Sequence, residues 1–277
     1  MRGENVSGTP KKICDSMTRL SFPDNRGLLY HVERGVATLT LNRPAQYNAL
    51  SKALLIALQA TLDDIAVDRS IRVVVLAGNG PAFCAGHDLK EMRAGTDGNY
   101  HHREYYEDLF RLSGQVMARM ARLPQPVVAR VHGLATAAGC QLVAACDLAV
   151  AAETARFAVS GINLGLFCSG PAVPLSRSIP RKVAFEMLVT GEFIDARTAK
   201  SHGLINRVAS REELDRVTDD LAGSILKKSP AAVAMGKRMF YRQLERNLED
   251  AYEYAAHVMA ANMMTEDAMK GIDEFLG

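Results

Sequence analysis

Paired cysteines are missing from this sequence. Its five, Cys14, Cys84, Cys140, Cys146 and Cys168, are odd in number and scattered, with no Cys-x-x-Cys pair. A disulfide framework or a zinc site needs closer, paired spacing, so no metal is expected and a reducing compartment is implied. Charge of one sign is also scarce: the formal net charge is only +2. No global field then recruits nucleic acid or an anionic membrane surface, and neither is expected as a partner. No apolar run approaches the roughly 18 residues of a membrane span. Nor do the first 25 residues contain the hydrophobic stretch of a secretory signal. Residues 1–26 are expected to be a flexible tail.

What is present suits one large domain or two small ones. The chain has 277 residues, 48% hydrophobic and 23% charged, ample apolar material for a substantial core. Leu28 to Val32 and Val36 to Leu41 read as two strands around the short turn Glu33-Arg34-Gly35. Ser51 caps a helix to about Asp68, with Leu54, Leu58, Leu62 and Ile65 on one face. Ile71 to Leu76 is a β-branched run without alternation, the pattern of a strand buried on both faces. Residues 100 to 122 read as helix, Val127 to Val131 and Leu148 to Ala152 as further buried strands.

This alternation predicts an α/β layer structure with parallel pairing. From Arg181 onward the pattern predicts helices alone. Ser210-Arg211-Glu212-Glu213 has capping-box spacing ahead of the apolar face Leu214, Val217, Leu221 and Ile225. Ser229-Pro230 restarts a helix, since proline is tolerated in the first turn.

Two segments are candidates for chemistry. The first is Phe83-Cys84-Ala85-Gly86-His87-Asp88-Leu89-Lys90-Glu91, after the buried Val73 strand. The second is His132-Gly133-Leu134-Ala135-Thr136-Ala137-Ala138-Gly139-Cys140-Gln141, after the Val127 strand and leading into a helix. Small residues at a strand-to-helix junction let backbone N–H groups approach a ligand, and a helix start favours negative charge. Singly, each is as readily a tight turn.

Together and in this order they resemble the crotonase (enoyl-CoA hydratase/isomerase) superfamily. The first segment is similar to its Ala-x-Gly-x-Asp motif and the second to its Gly-x-Ala-x-Gly-Gly-Gly motif. Leu41-Asn42-Arg43-Pro44, Asn48-Ala49-Leu50, Cys146-Asp147, Thr190-Gly191, Gly203-Leu204 and Thr265-Glu266-Asp267 extend the match over about residues 28–276. The resemblance implies a crotonase-like ββα spiral over residues 27–200, a helical C-terminal trimerisation region over 201–277, and a homotrimer or dimer of trimers. It implies acyl-coenzyme A as substrate or ligand, no separate cofactor, a role in fatty-acid metabolism and a mitochondrial location. Two backbone N–H groups, of His87 and Ala138, would hold the thioester oxygen. Ala45, Tyr47, Ala85, Asp88, Leu89, Ala135, Gln141 and Gly161 would join them in lining the site.

The departures matter most. Family hydratases place two glutamates beside the thioester; Gln141 and Gly161 stand at those positions here. Neither side chain transfers a proton at neutral pH. The leading expectation is an acyl-CoA-binding protein that is not a competent hydratase. The rival is an active hydratase, isomerase or thioesterase using another acid/base such as His87, whose imidazole would titrate near pH 7. A non-catalytic subunit of a hetero-oligomer is the third. A nucleic-acid branch of the family would want a lysine-rich helix, but residues 52–69 carry Asp63, Asp64 and Asp68 and no basic stripe. Asp147 and Asp88 read as holders of backbone N–H groups. Cys140, Cys168 and Met117, Met120, Met259, Met263 and Met264 read as packing residues.

Overall fold

The computed structural model describes residues 27–95 and 102–277. The tail expected over residues 1–26, and the first residues of the helix expected from 100, lie outside them. The described chain opens with β1 (Leu28–Glu33) and β2 (Val36–Leu41), paired antiparallel with Glu33 opposite Val36. The two-residue turn has positive φ at both Arg34 and Gly35, which matches the twist of the flanking strands. Ser51 caps α1 (Lys52–Val67) as expected, its hydroxyl accepting from the Leu54 N–H.

A strand–turn–strand–helix unit then repeats, and each turn of the spiral gives one strand to each of two sheets. β3 (Val73–Gly78) and β4 (Ala82–Cys84) lead to α2 (Leu89–Ala94) and α3 (Arg103–Arg122). β5 (Val127–Val131) and β6 (Leu134–Thr136) lead to α4 (Ala138–Ala145). β7 (Leu148–Ala152) and β8 (Arg156–Ala158) lead to α5 (Ser169–Ser178) and α6 (Arg181–Thr190). β9 (Ile194–Asp195), α7 (Ala196–Ser201) and β10 (Arg207–Ala209) complete the sheets, ordered β1-β2-β3-β5-β7-β10 and β4-β6-β8-β9. The expected ββα spiral is therefore present.

The expectation of helices alone beyond Arg181 is corrected by β9 and β10. They are two and three residues long, too short to leave a period-2 pattern. β10 extends the large sheet by pairing parallel with β7.

All six residues of β3 are buried, and alternate ones face different cores. Val74 and Leu76 join the main core with α1, α3 and α4, whereas Val73, Val128 and Val150 meet Leu214, Leu221 and Ala222 of α8 (Leu214–Leu226). The capping box ahead of α8 forms only in part: Ser210 Oγ accepts from the Glu213 N–H, and the helix begins at the next residue.

The chain ends in α9 (Pro230–Gln243), α10 (Leu248–Met263) and α11 (Glu266–Leu276). α9 starts as expected at Ser229-Pro230. Met117 and Met120 are buried as expected, but Met259, Met263 and Met264 are 52–79% exposed, because α10 and α11 contain no buried residue in the single chain.

Candidate functional site

The first candidate segment is held from below by the loop after β2. The Asn48 side chain, fully buried, accepts from the Arg43 N–H and donates to the carbonyls of Asn79 and Ala82, each at 2.8 Å. That tie fixes the β3–β4 turn against residues 43–48, where Tyr47 and Asn48 both take positive φ. The Arg43 guanidinium donates to Asp88 Oδ2 at 2.8 Å and to the Ala49 carbonyl. Asp88 in turn caps α2, accepting from the Lys90 and Glu91 N–H groups. Burial pushes its carboxyl up, but the Arg43 hydrogen bond and charge and the two N–H donors outweigh this and hold it below its ordinary value.

Leu50 then pairs with the residues on either side of His87. Its N–H donates to the Gly86 carbonyl at 2.7 Å, and its carbonyl accepts from the Asp88 N–H at 3.1 Å. A parallel bridge of this kind uses the groups flanking the central residue, so the His87 N–H stays outside it.

The second segment lies directly behind. Gly86 has φ +97°, and a Cβ there would lie 2.9 Å from Ala137 Cβ and 3.2 Å from the Ala138 nitrogen. Gly139 is needed for the same closeness, since a Cβ would collide with the Cys84 carbonyl. Ala137 takes φ 49° and ψ −121°, a region that glycine favours, and no side chain caps α4. Such a conformation costs on the order of 1–3 kcal/mol and persists only where its surroundings enforce it. Here the Ala137 N–H is tied to the Ala158 carbonyl at 3.0 Å. The Ala138 N–H is thus delivered at a helix start, where the first-turn donors have no partner within the helix.

The other expected residues divide. Ala135, Ala138 and Gln141 are buried, and Ala85, His87, Asp88 and Gly161 are half-buried. Ala45, Tyr47 and Leu89 are exposed. Gly161 lies in the turn after β8, beside Ser160, whose hydroxyl is 2.8 Å from that of Thr136 at the end of β6. The φ of Gly161 is not positive. Its Cβ space is nevertheless taken: a Cβ would meet Cys168 Sγ at 2.7 Å and the Leu166 carbonyl at 2.8 Å. The Gln141 amide lies across the same segment, 3.4 Å from the position of a Cβ on Gly170. Both departures from the family pattern therefore border residues 166–170.

The His87 imidazole is not the near-neutral titrating group weighed in the sequence analysis. Burial, opposed in part by the Leu50 backbone, pushes it down to about 4. Its Nδ1 is buried without a partner, and its ring meets Phe110 edge-on at 5.4 Å. Phe110 stacks on Tyr106 one helical turn earlier on α3. The sequence reading missed this aromatic wall because α3 is separated from the motif by residues 96–101. Burial also pushes up the thiols of Cys168 and Cys140, the latter to about 12, so both are protonated at neutral pH.

This geometry has counterparts. Residues 31–277 match the family model for enoyl-CoA hydratase/isomerase. The mitochondrial enoyl-CoA hydratase domain-containing protein 3 of Rattus norvegicus is 44% identical over 87% of this chain and 79% of its own length. A crystal structure of an enoyl-CoA hydratase from Mycobacterium smegmatis is 58% identical, with a TM-score of 0.87 over 90% of this chain and 96% of that one. The structure of human enoyl-CoA hydratase domain-containing protein 3 is 41% identical, with a TM-score of 0.86 over 91% and 97%. The chain is a member of the enoyl-CoA hydratase/isomerase family, with the crotonase fold.

Proposed function

We propose that this chain binds an acyl-CoA thioester, holds its carbonyl oxygen between the His87 and Ala138 N–H groups, and is not a competent hydratase. The observation that carries the reading is the Leu50 bridge, which leaves the His87 N–H free beside the uncapped start of α4. Chemistry next to a thioester carbonyl builds negative charge on its oxygen, and fixed donors stabilise it. One such donor is worth about 2.7–4 kcal/mol in the transition state. Hydration further needs groups that position water and move its proton, worth about 10²–10⁴-fold each. Gln141 and Gly161 supply neither. His87 does not replace them well, because its depressed pKa makes it a weak base. A mitochondrial location follows the animal relatives that bear the mitochondrial name, and a role in fatty-acid metabolism is what the acyl-CoA reading implies.

The same reading makes residues 201–277 an assembly region and the protein a homotrimer or dimer of trimers. α10, the turn after it and α11 leave Leu248, Tyr252, Met259, Met264, Phe275 and Leu276 at least 70% exposed, and large apolar side chains left in water on neighbouring helices are what an assembly surface needs. Light scattering at micromolar concentration should give a mass of three or six chains; a monomer sinks the assembly. For the site, calorimetry should detect saturable acyl-CoA binding. Hydration of a short 2-enoyl-CoA should run at least about a thousandfold slower than in a two-glutamate relative. Turnover at the relative's rate would overturn the reading.

A further inference from the structure

Gln141 is more than the place of a missing carboxylate. It is only 4% exposed, yet its amide makes no hydrogen bond among the described residues. Unlike His87 Nδ1, neither its nitrogen nor its oxygen is sealed off by the fold. The amide therefore ends in open space, inside an otherwise buried segment.

The helix sets its direction. The Gln141 N–H donates to the Ala137 carbonyl at 3.1 Å, so this residue lies one turn beyond the uncapped start of α4. Positions three apart share a helix face. At 1.5 Å per residue, the Cα of Gln141 is about 4.5 Å along the axis from that of Ala138. Helix side chains lean back over the turn N-terminal to them. A side chain as long as glutamine spans that rise, which brings the amide back towards the level of the Ala138 N–H. The first turn of α5 walls it on one side, with the amide nitrogen 3.4 Å from the Cβ position of Gly170.

The chemistry of the surroundings narrows what the amide can meet. Two residues before Ala138, the Thr136 hydroxyl lies 2.8 Å from that of Ser160, and only one of their two protons is used between them. The ionisable groups of the site are neutral or already paired. His87 and the thiols of Cys140 and Cys168 are uncharged, and Asp88 is held by Arg43. A carboxylate brought here would be desolvated without a cation to offset it. A hydroxyl brings no charge, and it both donates and accepts, as the amide does. A buried polar group left unmet disfavours any ligand that cannot pair with it.

We propose that Gln141 is a specificity-determining residue, selecting acyl groups with a neutral hydroxyl on one of the two carbons next to the thioester carbonyl. The inference rests on the acyl-CoA reading above. With the carbonyl oxygen on the His87 and Ala138 N–H groups, those carbons are the ones whose substituents reach the amide. The hydroxyl would accept from Gln141 Nε2 or donate to its Oε1.

The test is calorimetric titration of the full chain with butyryl-CoA, 2-hydroxybutyryl-CoA, 3-hydroxybutyryl-CoA and methylmalonyl-CoA. One of the hydroxybutyryl thioesters should bind about tenfold tighter than butyryl-CoA, the effect of about one well-made neutral hydrogen bond. Which of the two does so locates the hydroxyl. Gln141→Met keeps the length of the side chain and removes the amide, so it should bring the hydroxybutyryl and butyryl affinities together. If that variant melts early, Gln141→Asn, which withdraws the amide by one methylene, should narrow the preference in its place. Absence of binding by all four thioesters would overturn the acyl-CoA reading and this inference with it. Saturable butyryl-CoA binding with no preference for a hydroxyl, an undiminished preference in the Gln141 variants, or methylmalonyl-CoA as the tightest ligand would overturn this inference alone.

Discussion

Lys237 Nζ on α9 lies 2.6 Å from Asp147 Oδ2 at the head of β7, and both side chains are largely buried. The ammonium also donates to the carbonyls of Met120 and Gln125, and the carboxylate accepts from the Val127 N–H and the Tyr241 hydroxyl. One buried carboxylate thereby joins β5, β7 and α9. Removing one member of such a pair leaves an uncompensated charge, which typically costs about 3–5 kcal/mol. Lys237→Ala should therefore lose about that much stability in urea unfolding. Tyr241→Phe removes one bond to a charged group and should lose roughly 1.5–3 kcal/mol. If Lys237→Ala lost no more than Tyr241→Phe, the pair would be of little consequence to the fold.

His87 gives stability a pH dependence of defined sign. Its folded pKa is about 4, below the unfolded value of about 6.5. As pH falls, the unfolded chain takes the proton first. The contribution is therefore complete above about pH 6.5 and is lost as pH falls towards the folded value of about 4. Asp88, also depressed, loses its contribution lower, below about 3.9, so the two are separable. His87→Leu should flatten the dependence of the urea midpoint across the upper window. His132, shifted the same way by burial, should retain part of the slope. An unchanged slope in His87→Leu would mean that the imidazole is solvated in the folded protein.

The sequence made the central strands and the first helix cap legible because burial on both faces and Ser51 leave local signals. β9 and β10 left none: strands of two and three residues depend on neighbours already in place. The two motif segments were visible as small-residue junctions. What orders them was not, because Arg43–Asp88 spans 45 positions and Lys237–Asp147 spans 90. The obstruction at Gly161 was likewise invisible, since the sulfur that fills its Cβ space comes from a separate turn. Asp147 was read as holding local backbone N–H groups; it does accept one, but from Val127 twenty positions away, and its other partners come from α9.

Substitutions at His87 separate its backbone from its ring. His87→Ala should leave acyl-CoA affinity within a few fold, since the N–H that holds the oxygen remains. His87→Pro removes that N–H and restricts the backbone, and should abolish binding. Circular dichroism and melting must first show that the proline variant folds. If alanine alone abolished a measured activity, the imidazole would be a catalytic group despite its depressed pKa.

The carboxylate positions provide the most demanding test. Two groups are needed to position water and manage its proton, and groups acting as a unit do not add. Gln141→Glu is nearly isosteric and should fold, yet alone it should give little hydration. Gly161→Glu meets Cys168 Sγ at 2.7 Å and the Leu166 carbonyl at 2.8 Å. The sulfur can be removed but the carbonyl cannot, because the Leu166 N–H is tied to the Gly161 carbonyl at 3.0 Å. The double variant should therefore lose about 1–3 kcal/mol, the usual cost of adding bulk to a filled site. Adding Cys168→Ala should restore part of that loss and give the highest hydration rate of the series. Melting and acyl-CoA affinity are measured first, then turnover of a short 2-enoyl-CoA. If the triple variant folds, binds and stays inert, the missing carboxylates are not the only barrier, and the path of residues 161–170 itself keeps water from the β-carbon.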